Sequence, residues 1–148
     1  MVEVISNSPA ETEMFAQRLG AVLTGGETIA YFGGLGMGNT RFTAGLAKGM
    51  NITDDVSSPT FSLVHEYGGD KTLYHFDMYR ITTFEDLCST GFFDYLDSNS
   101  VLAIEWSENI ENALPEDMLI RIEIIRGYIA NQRILRMSGD SIYEDSWR

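Results

Sequence analysis

"GGLGMGNT", Gly33 to Thr40, follows directly on the apolar stretch "TIAYF", Thr28 to Phe32. Four glycines in eight residues make a loop whose backbone can closely approach a bound group. The phosphate-loop template is G-x-x-x-x-G-K-[ST]. Gly33 and Gly38 stand at its glycines and Thr40 at its hydroxyl, with Asn39 where the lysine belongs. Either this is a nucleotide loop without its charge, or it is a glycine-rich turn that never held a nucleotide. The flanking sequence bears on the choice.

"TIAYF" is short, β-branched and aromatic, which predicts a strand. Beyond the loop, Phe42, Leu46 and Met50 recur every four residues, a helix face. Strand, glycine loop, helix is the setting a phosphate loop requires. Upstream, "SPAE" (Ser8 to Glu11) predicts a helix start, with Ser8 as cap, Pro9 in the first turn and Glu11 closing a capping box. Phe15, Leu19, Val22 and Leu23 would form its apolar face, and Gly25 and Gly26 its end.

Downstream, "SPTFSLVHEY" (Ser58 to Tyr67) reads as a loop entering a strand, with a turn at Gly68 to Asp70. "LYHFD" (Leu73 to Asp77) is another short strand. "TFEDL" (Thr83 to Leu87) is a capped helix re-aimed at Gly91. "SVLAIEW" (Ser100 to Trp106) is continuously apolar up to Glu105, as in a strand buried on both faces. "LIRIEII" (Leu119 to Ile125) alternates and predicts a half-exposed strand, turning at Gly127 into another around Ile134. The expected fold is a single α/β domain over residues 1–140. Its mixed sheet is parallel at the centre and antiparallel at one edge. Residues 141–148, "SIYEDSWR", read as a loose polar tail.

The 148-residue chain carries 22 acids against 10 bases, a net charge of −12. That field repels phosphate chains, so a direct nucleic-acid role is disfavoured. No stretch is long and apolar enough for a membrane helix, and the N-terminus does not have a signal-peptide pattern. The lone Cys88 fits a reducing, cytoplasmic setting.

The chemistry-bearing residues gather around the loop. Backbone N–H groups and the following helix start attract an anion without any lysine. Asn39 can still donate a hydrogen bond, but a neutral bond contributes about 1 kcal/mol against about 1.5–3 for a charged one. Phosphate binding should therefore weaken roughly 10-fold. A phosphate-loop site also needs an acid at a strand end to face Mg²⁺, and both Asp77 and Glu105 qualify. "SSPTF" (Ser57 to Phe61) offers hydroxyls, among them Thr60, suited to sensing a terminal phosphate. His75 and Asp77 share one strand face. His65, His75 and Cys88 do not have zinc-ligand spacing, and there is no G-x-S-x-G nucleophile elbow.

Five stretches in order resemble the TsaE (YjeE) family of small bacterial ATPases: the glycine loop, "SSPTFSLVHEY", "HFDMYR", "EDLCSTGFFDYL" and "VLAIEW". The resemblance implies a phosphate-loop NTPase-like domain that binds ATP or ADP with Mg²⁺. It implies partners, TsaD and TsaB homologues, that transfer threonylcarbamoyl to tRNA. The tRNA would then be met only indirectly through that complex. It also implies roles for particular residues. Gly33, Gly36, Met37, Gly38, Asn39, Thr40 and Arg41 would form the nucleotide loop, with Arg133 a late basic residue near the nucleotide. Thr40, Glu105 and Asp77 would hold the metal, while Asp77, Glu105 and Thr60 would serve catalysis. Asn39 departs from the family's lysine, and Arg41 or Arg80 is a candidate to replace its charge. The function implied is a weak ATPase supporting the tRNA-modifying complex. The alternative is a nucleotide-impaired scaffold of that complex.

Overall fold

A computed structural model of the chain describes residues 1–33, 38–57 and 63–148. In chain order the elements are β1 (Val2–Ser6), α1 (Pro9–Val22), β2 (Thr28–Phe32), α2 (Asn39–Gly49), β3 (Val64–Tyr67), β4 (Thr72–Asp77), α3 (Phe84–Ser89), β5 (Ser100–Glu105), β6 (Leu119–Arg126), β7 (Arg133–Ser138) and α4 (Ser141–Glu144). Three short 3₁₀ turns, at Phe92–Tyr95, Ser107–Ala113 and Asp145–Trp147, complete them.

The strands form one sheet in the order β1-β7-β6-β2-β5-β4-β3. β6, β2, β5 and β4 run parallel at its centre. The sequence predicts antiparallel pairing at one edge, but the sheet has it at both: β6-β7-β1 on one side and the β3-β4 hairpin on the other. β1 is a strand that the pattern reading does not identify. Its ladder partners lie at the far end of the chain, as in the pair Val2 and Met137.

Alternation along the strands divides the core in two. Ile29, Tyr31, Leu73, Val101, Ala103 and Ile122 pack beneath α1 and α2. Ala30, Phe76, Leu102 and Ile104 pack on the other face with Leu87 of α3 and Phe92. β5 is buried at every position, as its apolar run predicts. Ile120, Ile122 and Ile124 of β6 are all fully buried.

Ser8 caps α1 by accepting from the Glu11 backbone N–H at 3.1 Å. The Glu11 carboxylate reaches back to the Asn7 N–H at 2.6 Å, one residue before the box position. α1 ends at Val22, ahead of the predicted Gly25–Gly26 stop, where the Leu23 N–H turns back to the Gly20 carbonyl. The predicted loose tail is instead packed. Trp147 is 3% exposed, donates from Nε1 to the Phe15 carbonyl at 2.8 Å and meets the rings of Phe15 and Phe42 edge-on. Tyr143 is buried with it and donates to Glu27 at 3.0 Å, so two aromatic side chains hold a segment whose other residues are mostly polar. No helix among the described residues is long and apolar enough to cross a membrane.

Candidate functional site

β2, β5 and β4 are parallel, so their C-terminal ends share one margin of the sheet. Gly33 leaves β2 there with φ 110°. A Cβ at that position would come within 2.5 Å of the Ile124 carbonyl oxygen, so only glycine permits this exit past β6. The chain is next described at Gly38, which starts α2 with φ 109° and open space where a Cβ would stand. Gly33 is thus needed for both close packing and its dihedral, Gly38 for its dihedral alone. Gly36, Met37 and Thr60 lie outside the described residues, as do Ser58 and Pro59.

α2 begins at Asn39 and Thr40, so its unpaired N–H groups and positive dipole end face the same margin. The helix start is tied down from below. The Thr43 hydroxyl donates to the Asn39 carbonyl at 2.9 Å and meets the Tyr31 hydroxyl at 2.7 Å. Burial pushes the Tyr31 phenol well above its ordinary pKa, so the hydroxyl keeps its proton. Thr40 is half-buried.

Glu105 ends β5 and Asp77 ends β4, directly across from each other in register. Their side chains, with that of His75, lie on the face that carries α1 and α2. Glu105 is 7% exposed and Asn39 8%. The Asn39 amide Nδ2 donates to Glu105 Oε1 at 3.4 Å. His75 Nε2 sits 2.8 Å from Glu105 Oε2. Asp77 accepts from the Tyr79 backbone N–H at 2.9 Å. Burial raises the Asp77 pKa; the Tyr79 N–H pulls it down, and the neighbouring Glu105 charge pushes it up again.

Directly after Glu105, Trp106 adopts φ 61°, a left-handed conformation that is an outlier for a bulky side chain. Its ring centroid lies 5.0 Å from that of Tyr79. The Met78 N–H donates to the Glu105 carbonyl at 3.0 Å, tying the two strand exits together.

The candidate cations divide. Arg41 and Arg133 line a cleft of about 170 Å³ with Gly38, Pro9, Thr12 and Asn131. Glu13 of α1 pairs with Lys48 and, at 3.2 Å, with Arg41, and these two cations hold its carboxyl below its ordinary pKa. Arg80 is exposed beyond β4, and its charge acts on Asp77. Of the described contacts of Glu105, none is made by these three in the role a loop lysine would fill; among the described residues the buried carboxylate has His75 beside it.

Among the described residues no three His, Cys, Asp or Glu side chains cluster closely enough to hold a metal by themselves. Mg²⁺ does not require that, because it keeps waters and takes one or two carboxylates together with phosphate oxygens. Glu105 Oε2 is buried and without a hydrogen bond, and Asp77 and Thr40 at the same margin present oxygens as well. The set fits a hard cation. His75 is the residue that the motif reading leaves out of the site. Its two-residue spacing from Asp77 is the available signal, but its contact with Glu105 depends on strand pairing.

A family model described as "Threonylcarbamoyl adenosine biosynthesis protein TsaE" matches residues 6–134. The chain is 37% identical over 112 residues to the tRNA threonylcarbamoyladenosine biosynthesis protein TsaE of Treponema pallidum, covering 76% of this chain and 83% of that protein. Against the protein of the same name from Aquifex aeolicus it is 36% identical over 137 residues, covering 90% and 96%. A crystal structure of Bacillus subtilis YdiB superposes with a TM-score of 0.79 at 30% identity, covering 98% of this chain and 90% of that one. The glycine-loop margin and its two strand-end acids therefore sit in a chain that belongs to the TsaE family, whose members take part in tRNA threonylcarbamoyladenosine biosynthesis.

Proposed function

We propose that the protein binds ATP and ADP with Mg²⁺ at the α2 margin and hydrolyses ATP weakly. In this reading it supports TsaD and TsaB homologues in forming threonylcarbamoyladenosine in tRNA. The observation that carries the reading is the meeting of Asn39, Glu105 and Asp77 at one margin. Asn39 at the start of α2 touches Glu105 at the end of β5, and Glu105 stands level with Asp77.

In this reading the N–H groups at the start of α2 receive the phosphates, and Asn39 adds a neutral donor. Arg41 and Arg133, which line the adjoining cleft, supply the positive field. Thr40, Glu105 and Asp77 are the residues that would hold Mg²⁺, which supplies charge neutralisation for the phosphates when bound. Gly36, Met37 and Thr60 belong to the same proposal through the motif alone.

A second reading is favoured by one observation. The lysine position holds an amide already turned to Glu105. In that reading the protein is a scaffold of the complex that does not turn over nucleotide.

Titration with ADP and ATP, with and without Mg²⁺, separates the two when followed by tryptophan fluorescence. Trp106 lies next to Glu105 and should respond. Saturable, Mg²⁺-dependent binding together with slow phosphate release supports the ATPase. If both nucleotides leave the signal unchanged up to millimolar concentration, the scaffold reading stands.

A further inference from the structure

Every buried side-chain polar atom without a hydrogen-bond partner, among the described residues, belongs to Asn39, His75 or Glu105. The atoms are Asn39 Oδ1, both His75 ring nitrogens and Glu105 Oε2. Unpaired groups of this kind are rare in protein interiors, and a cluster of them marks a place kept polar for a purpose. Three elements converge here: the start of α2, the body of β4 and the end of β5.

His75 is fully buried, and its Nε2 lies at contact distance from Glu105 Oε2 without the alignment of a formed hydrogen bond. A turn of the carboxylate would bring Oε2 onto an Nε2–H. On the other side, the bond from Asn39 to Oε1 is neutral and long. A lysine ammonium at position 39 would offer this carboxylate a charged donor, which asparagine does not.

We infer that His75 is a positioning residue that holds the Glu105 carboxylate in place for a divalent cation. With an amide at position 39, no charged donor from the loop shares this task. The inference rests on the nucleotide and Mg²⁺ reading above. A neutral ring with its proton on Nε2 is sufficient. His75 acts through Glu105 and itself touches neither metal nor phosphate.

The test compares the wild-type protein with His75→Leu and His75→Gln. Each is titrated with Mg²⁺ at fixed ADP by tryptophan fluorescence, and Mg²⁺-free ADP affinity is measured by calorimetry. His75→Leu should raise the half-saturating Mg²⁺ concentration about fivefold or more and leave Mg²⁺-free ADP affinity within about twofold. His75→Gln keeps an N–H donor and should recover most of the loss. In an Asn39→Lys background the ammonium takes over, and His75→Leu should cost less than about twofold. His75→Asn, too short to reach Glu105, goes through the same titrations in case leucine prevents folding. ADP binding with an unchanged Mg²⁺ requirement, or an equal loss in both backgrounds, overturns the inference alone. If no variant binds nucleotide, Asn39→Lys included, the inference and the nucleotide reading fall together.

Discussion

The side-chain amide of Asn39 lies 3.4 Å from Glu105 Oε1, across 66 positions of sequence. That contact joins the first residue of the loop helix to the last residue of β5. It puts a neutral donor where the phosphate-loop template has an ammonium. The backbone cradle is unaffected by the exchange, because it is made of N–H groups at the helix start.

Restoring the charge should therefore act on the terminal phosphate more than on the diphosphate. Asn39→Lys should tighten ATP binding roughly 10-fold or more, on the difference between charged and neutral hydrogen bonds. ADP affinity should change less, and turnover should rise, since charge on the transferred group is stabilised in the transition state. Calorimetry with both nucleotides and single-turnover hydrolysis would measure this. Unchanged values would mean that another cation already does the work.

Asp77 and Glu105 stand level on adjacent parallel strands, and burial has raised the Asp77 pKa. A carboxyl raised in the folded state takes up a proton on folding. Stability is therefore lost as pH rises from the ordinary aspartate value through the raised one. Asp77→Asn should stabilise the ligand-free protein at pH 7, by no more than about 1 kcal/mol because the group is partly solvated. The gain should vanish near pH 3, where the wild-type carboxyl is protonated too. Urea unfolding at the two pH values checks both parts, and Mg²⁺-dependent nucleotide binding should weaken in the same variant.

Trp147 fills a site between Phe15 of α1 and Phe42 of α2. Trp147→Ala should cost about 3 kcal/mol or more, the range for a large aromatic removed from a core. A change below about 1 kcal/mol in urea unfolding would mean that the indole packs less tightly than its burial indicates. The damage should reach the loop helix, because Phe42 lies edge-on to Tyr31, whose hydroxyl holds Thr43.

The net charge of −12 sets the expectation for tRNA. Binding to a phosphate chain is driven by counterion release at basic contacts, and this surface has few of them. The isolated protein should show no tight tRNA binding at physiological salt in a filter or gel-shift assay. Tight binding that weakens steeply with added salt would reveal a basic cluster not evident from the composition.

Local signals were the legible ones. The Ser8 cap, the alternation in β6 and the apolar run of β5 each depend on neighbours in sequence, and each is found in the fold. β1 was not legible, because "VEVIS" is short and its partner strand is Arg133–Ser138. The packed tail escaped for a similar reason. Its polar residues dominate the local pattern, while Trp147 is held by contacts more than 130 positions away in sequence, at Phe15. At the site, the residue types and the strand-end acids could be read directly. The contact of His75 with Glu105 could not, because it needs the order of β4 and β5 in the sheet.

Asn39 is buried at the start of α2, and besides its long amide contact to Glu105 its turn of helix is tied to the sheet by its backbone carbonyl, Thr43 and Tyr31. The fold therefore makes little demand on which side chain position 39 carries. Asparagine and lysine codons differ only in the third base. A single transversion would return an ammonium to the loop, beside the Glu105 carboxylate that Asn39 already touches.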